Sequence, residues 1–144
     1  NVAGVMNGAQ AAYRTFAGRA GAIVNIASNA GKVGFPNMAA YNATKAAVIN
    51  LTRSLAKEWA AAKVNVNAVC PGSVATPMLR EVADQLAAET GRTAESLFAG
   101  MVPAQLGRHI TPREGGQVVA FLLSDAATII RGQSINVDGG ETPY

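Results

Sequence analysis

The sequence predicts an α/β fold built on a doubly wound parallel sheet. Three observations carry that expectation. Short apolar runs rich in Val and Ile recur at residues 22–28, 64–70 and 134–140. Longer stretches with helical periodicity separate them. Gly, Pro and Asn punctuate the junctions, as in "NAGKVGFPN" and "PGS". Strands separated by helices pair in parallel through right-handed crossovers.

The elements follow in order. Residues 2–17 are rich in Ala, Met and Gln without Pro and read as a helix, with Gly18 and Gly21 at its exit. "AIVNIAS" (Ala22 to Ser28) reads as a strand buried on both faces. Asn29 to Asn37 is a loop. A long helix is expected from about Met38 to Ala62. Ala40, Ala43, Ala47, Leu51, Leu55 and Trp59 form its apolar stripe, and its small first half admits close approach by a backbone or ligand. "VNVNAVC" (Val64 to Cys70) is the second strand, ended by Pro71-Gly72. Two helical pieces cover about Pro77 to Ala104, divided near Gly91. Thr111, Pro112 and Glu114 spell a capping box with Pro in the first turn, so a helix starts there. The last strand lies in "SINVDGG" (Ser134 to Gly140). Three strands make a narrow sheet for such a fold, which suggests that part of it lies outside these residues.

Composition narrows the function classes. The chain has 144 residues, enough for one domain, and a net charge of +3 with Lys and Arg scattered. No basic run makes a nucleic-acid patch, so no nucleic-acid partner is expected. No stretch reaches the roughly 18 apolar residues of a membrane span, and no membrane partner is expected. Cys70 is the single cysteine, so no internal disulfide forms. That suits a reducing, cytoplasmic compartment. Cys70 reads as a buried structural thiol, and Asp138 as structural. His109 reads as a surface or loop residue, with substrate contact as the alternative. No second His and no ligand cluster accompany it, so no metal is expected.

Tyr41 and Lys45 in "YNATK" lie one helical turn apart on one face. An ammonium beside a phenol favours the phenolate, which makes a tyrosine a usable general acid/base. Alone, that spacing is common. Ser28, however, ends a strand thirteen residues earlier, and Pro71 to Thr76 follows the end of the next. Ligands of open α/β sheets bind at the carboxyl ends of strands. Three segments therefore converge on one crevice.

"NIAS", "YNATK", "NAVCPGSVATPM" and "GQSINVDGG" together resemble the short-chain dehydrogenase/reductase family, and the resemblance spans essentially all of residues 1–144. It implies the C-terminal portion of a Rossmann-like domain whose N-terminal βαβ units are not among these residues. It implies an NAD(P)-dependent oxidoreductase interconverting a secondary alcohol and a ketone. By resemblance, Tyr41 is the general acid/base. Lys45 assists it and holds the nicotinamide ribose, and Tyr41 is likewise implied as a cofactor-binding residue. Ser28 orients the substrate oxygen. Pro71, Gly72, Val74 and Thr76 lie along the nicotinamide. Asn1, followed by Val2, Ala3 and Gly4, matches the Asn that completes an Asn-Ser-Tyr-Lys tetrad by holding a relay water.

The glycine-rich turn that seats the cofactor pyrophosphate has no counterpart here, nor has the residue that selects NAD or NADP. Residues 77–110 match the substrate lid, whose "AAETGRTAES" resembles diol, sorbitol and other polyol dehydrogenases. A 3-oxoacyl thioester reductase is the alternative within the family. A non-catalytic folded fragment, inactive without the phosphate-binding turn, is the alternative outside it. Asn29, Asn37 and Gln105 are candidates to bind a polyhydroxy substrate or to cap turns. The family also implies a homotetramer or homodimer. Met6, Ala9, Tyr13, Val48 and Leu55 then either face a second copy or pack on their own sheet.

Overall fold

Three parallel strands, β1 (Gly21–Ile26), β2 (Val64–Pro71) and β3 (Ser134–Val137), form one sheet in that spatial order. This is seen in a computed structural model that describes all of residues 1–144. The register pairs Ile23 with Val66 and Val69 with Ile135. Helices α1 (Val2–Phe16) and α2 (Ala39–Glu58) pack on one face, and α5 (Pro112–Leu123) packs on the other. The α/β, doubly wound expectation therefore holds.

The central strand shows how the layers arise. Residues of a strand alternate between faces. On β2, Val64, Val66, Ala68 and Cys70 turn toward α1 and α2, where Ala9, Val48, Ile49 and Leu55 are buried with them. Val69 turns the other way, onto Leu122 and Ala127. Full burial of a valine stabilises by about 1.5–3 kcal/mol, and Val48 and Val66 are fully buried. Asn65 and Asn67 share the Val69 face. The Asn67 amide donates to the Ile130 carbonyl at 2.7 Å and its oxygen accepts from the Gln133 N–H at 2.9 Å, while Asn65 donates to the Ala127 carbonyl. These two side chains hold the segment that leads into β3.

Two expectations need correction. The run Ala22–Ser28 is not buried throughout: Asn25, Ala27 and Ser28 are buried, whereas Ala22–Val24 are half-buried and Ile26 is 49% exposed. Among residues 1–144, β1 is bonded to β2 alone, in keeping with the narrowness of a three-strand sheet. The α2 stripe also differs. Ala40 and Ala43 are exposed, and the buried residues are Val48, Ile49, Thr52 and Leu55. The first turns of α2 meet the loop after β1 instead of the sheet. The helix ends at Glu58, and Lys63 takes a positive φ of 59° before β2.

The segment between β2 and α5 holds α3 (Pro77–Thr90) and α4 (Ala94–Gly100), divided at Gly91. Its end returns to its start. Ala75 N–H donates to the Ile110 carbonyl at 2.8 Å, and Ile110 N–H donates to the Ser73 carbonyl at 3.1 Å. The capping box at α5 forms as expected, with Thr111 and Glu114 bonding reciprocally and Arg108 paired to Glu114. Ala9, Val48 and Leu55 lie in the core and Tyr13 stacks on Trp59 at 4.5 Å, so of the five interface candidates only Met6 is exposed. No helix is long and apolar enough to cross a membrane.

Candidate active site

The site assembles where the ends of β1 and β2 meet the start of α2. Ser28 follows β1, is buried, and caps a 3-10 turn at Asn29–Gly31 by accepting from the Ala30 N–H at 3.1 Å. That turn rests on α2. A Cβ on Gly31 would sit 2.6 Å from the Lys45 carbonyl carbon and 2.7 Å from the Ala46 nitrogen. Glycine is what lets the Ser28 loop lie against the helix backbone, the close approach anticipated from the small residues of α2.

Tyr41 and Lys45 stand one turn apart on α2, both half-buried. The Lys45 ammonium lies 5.6 Å from the Tyr41 ring centroid and donates to the Ile26 carbonyl at 3.1 Å, two residues before Ser28. Burial pushes the Lys45 pKa below its ordinary value, with an opposing contribution from Cys70. Asn42, between them, donates to the Phe35 carbonyl at 2.9 Å and ties the loop before α2 to the helix.

Asn1 is exposed at the start of α1. Its side-chain amide donates to Thr44 Oγ1 at 3.3 Å, and Thr44 Oγ1 donates to the Tyr41 carbonyl at 2.8 Å. Asn1 thus reaches the Tyr41 turn of α2 through Thr44. Thr44 stands three residues after Tyr41, on the same face of α2.

Pro71, Gly72, Val74 and Thr76 form the half-buried run that leaves β2. Val74 N–H turns back to the Gly72 carbonyl at 3.0 Å. Thr76 caps α3, accepting from the Leu79 N–H, and donates to the Val74 carbonyl, both at 3.3 Å. Asn29 donates to Glu141 at 3.1 Å and Gln105 to the Gly140 carbonyl at 2.9 Å, so these two substrate candidates are engaged in holding turns. Asn37, the third, is exposed with φ 62°.

The remaining singled-out residues fall as follows. Cys70 is fully buried, and that burial pushes its thiol pKa up, which fits an inert structural role. Asp138 is buried and its carboxylate accepts from the Gly140 and Thr142 N–H groups. His109 is a loop residue but not a surface one. Its ring lies 4.2 Å from Phe98, and both ring nitrogens are buried without a partner. No group of three or more His, Cys, Asp or Glu comes together. Open pockets of about 140 and 460 Å³ are lined by none of Asn1, Ser28, Tyr41 or Lys45.

A nicotinamide cofactor presents adjacent ribose hydroxyls. Lys45 carries three N–H donors and uses one on Ile26. Donor capacity therefore remains on Lys45, whose ammonium lies 5.6 Å from the Tyr41 ring centroid, and that suits such a ribose. These residues fit the nicotinamide–ribose end of the cofactor, whereas no glycine-rich strand-to-helix turn for the pyrophosphate occurs among residues 1–144.

Comparison with known proteins places this geometry in context. Residues 1–142 match a family model described as enoyl-(acyl carrier protein) reductase. The chain is 39% identical over 140 residues to short-chain dehydrogenase/reductase aba4 of Botryotinia fuckeliana, covering 97% of this chain and 52% of that protein. A variant of actinorhodin polyketide ketoreductase, solved with NADPH, superposes with a TM-score of 0.80 at 38% identity, over 87% of this chain and 48% of the other. Sorbitol-6-phosphate 2-dehydrogenase SrlD from Erwinia amylovora superposes with a TM-score of 0.80 at 33% identity, over 89% and 51%. The chain spans about half the length of the relatives it matches.

Proposed function

The chain belongs to the short-chain dehydrogenase/reductase family, and from that premise we propose that the protein carrying it interconverts a secondary alcohol and a ketone with NAD or NADP. One observation carries the proposal. Tyr41 and Lys45 share a helix face, and Lys45 is anchored to the strand end that leads into Ser28.

Each residue then has a task. The Tyr41 hydroxyl exchanges a proton with the substrate oxygen, taking it when the alcohol is oxidised and giving it when the ketone is reduced. Ser28 donates to the same oxygen and fixes its position. The Lys45 ammonium, 5.6 Å from the Tyr41 ring centroid, holds the ribose hydroxyls. Pro71, Gly72, Val74 and Thr76 flank the nicotinamide. Asn1, joined to the Tyr41 turn through Thr44, holds the water that relays protons outward. The cofactor, when bound, supplies or accepts the hydride at the carbinol carbon. Residues 77–110 serve as the substrate lid.

Two substrate classes have support. The likeness to a sorbitol-6-phosphate dehydrogenase favours a diol or polyol, and the likeness to a polyketide ketoreductase favours a 3-oxoacyl thioester. The full-length protein, assayed with NAD and NADP on secondary alcohols, polyols and acyl thioesters, separates them. Tyr41→Phe is expected to lower kcat by about 10²–10⁴-fold, the usual weight of a general acid/base. An intact rate in that variant would overturn the mechanism. A folded protein that neither binds NADH, by nicotinamide fluorescence, nor turns over would instead favour a non-catalytic role.

A further inference from the structure

The turn from Asp138 to Thr142 lies where three segments of the site meet. Asp138 folds it, accepting from the Gly140 N–H at 3.1 Å and the Thr142 N–H at 2.9 Å. Gln105, near the end of the lid segment, donates to the Gly140 carbonyl. Asn29 Nδ2 donates to Glu141 Oε2 at 3.1 Å, and the Ser28 hydroxyl lies 3.4 Å from Asn29 Oδ1. Gly72 closes against the same group: a Cβ there would sit 2.7 Å from Asp138 Cβ and 2.9 Å from Glu141 Oε2. One carboxylate oxygen therefore bonds the Ser28 loop through Asn29 and fills the space that a side chain at Gly72 would need.

Glu141 is not held there by a cation. The chain's one ion pair is Arg108 with Glu114. Desolvation raises the Glu141 pKa, against the pull of the Asn29 amide. An exposed glutamate ordinarily turns its charge to water. This one turns an oxygen inward, where only hydrogen bonding offsets the desolvation.

We propose that Glu141 is a positioning residue whose Oε2, bonded to Asn29 Nδ2 and seated against Gly72, sets the spacing between Ser28 and the Gly72–Thr76 run. It touches neither substrate nor cofactor and acts through Asn29 and Gly72. The proposal rests on the assignment of Ser28 to the substrate oxygen made above. Misplacement of a reacting group by about 1 Å can cost on the order of 10²-fold in rate, so a modest loosening has a measurable effect.

The test uses the full-length protein. Glu141→Ala is expected to lower kcat roughly 10-fold with KM for the cofactor changed less than about twofold, within the range that misplacement allows. Glu141→Gln keeps the acceptor for Asn29 and is expected to stay within about threefold of wild type, as a retained hydrogen bond requires. Equal losses in the two variants, or a loss confined to KM, would overturn the proposal. A thermal-melt cycle of Asn29→Ala, Glu141→Ala and the double variant reads the link without turnover. Non-additive melting shifts support it, and additive shifts overturn it. Should Tyr41→Phe keep the wild-type rate, the functional assignment fails, and the melt cycle still decides whether Glu141 is coupled to the Ser28 loop through Asn29.

Discussion

Gly31 lies so close to Lys45 that a Cβ on the glycine would stand 2.6 Å from the lysine carbonyl carbon. The contact is backbone on backbone, so no side chain can swing aside to make room. It joins the loop that holds Ser28 to the helix that holds Tyr41 and Lys45. The spacing of the site is thus set by main-chain packing as well as by side-chain hydrogen bonds.

Gly31→Ala is therefore expected to destabilise the fold by about 1–3 kcal/mol, the usual cost of overpacking. Its activity should fall as well, because Ser28 and Lys45 must move apart. Urea unfolding and steady-state rates check both, and an unchanged midpoint with an unchanged rate would show that the contact does not constrain the site.

Glu114 carries a pH prediction. The Arg108 guanidinium, followed by the Thr111 N–H and hydroxyl, lowers its pKa from 4.5 to about 2. A depressed carboxylate stabilises the fold above its unfolded value and loses that contribution as pH falls toward the folded one. Glu114→Gln should lower the urea midpoint at pH 7, and the deficit should shrink between about pH 4.5 and pH 2. Because the pair is exposed, 1 M salt should shrink it too. A deficit that is constant across that window would mean that the carboxylate acts by shape alone.

His109 is expected to be replaceable at a gain in stability. Its ring packs on Phe98, which in turn lies under the Arg80 guanidinium at 4.0 Å, while its nitrogens are buried without partners. Leaving a buried polar group unsatisfied costs about 1–3 kcal/mol. His109→Phe keeps the aromatic contact and removes the unpaired nitrogens, so the unfolding midpoint should rise. A lower midpoint would reveal a partner for one of those nitrogens in the full-length protein.

Legibility in the sequence followed distance along the chain. The capping box at Thr111 and Glu114, the break at Gly91 and the Tyr41–Lys45 pair all depend on neighbours within a turn or so, and all were readable. The open side of β1 was readable only from the count of strands, since a strand's burial depends on what lies beside it. Asn65 and Asn67 alternate with Val64 and Val66 as in any half-buried strand. Their partners lie more than sixty residues on, so nothing local announces that they are buried and bonded. The same holds for Glu141, whose partner Asn29 is 112 residues earlier in the chain. Its only local signal was its place directly after the "VDGG" ending.

The closure of Ile110 onto Ser73 and Ala75 has an evolutionary consequence. Residues 77–109 leave the frame and are tied back to it by two backbone hydrogen bonds at Ile110, with Gln105 making a further contact to the Gly140 carbonyl. The free-energy cost of closing such an excursion grows only slowly with its length. The excursion can therefore be lengthened, shortened or exchanged as a cassette while Ser28, Tyr41 and Lys45 stay where they are. If residues 77–110 serve as the proposed lid, a graft of a relative's excursion between Thr76 and Ile110 is expected to alter substrate preference and to leave the Ser28, Tyr41 and Lys45 geometry in place.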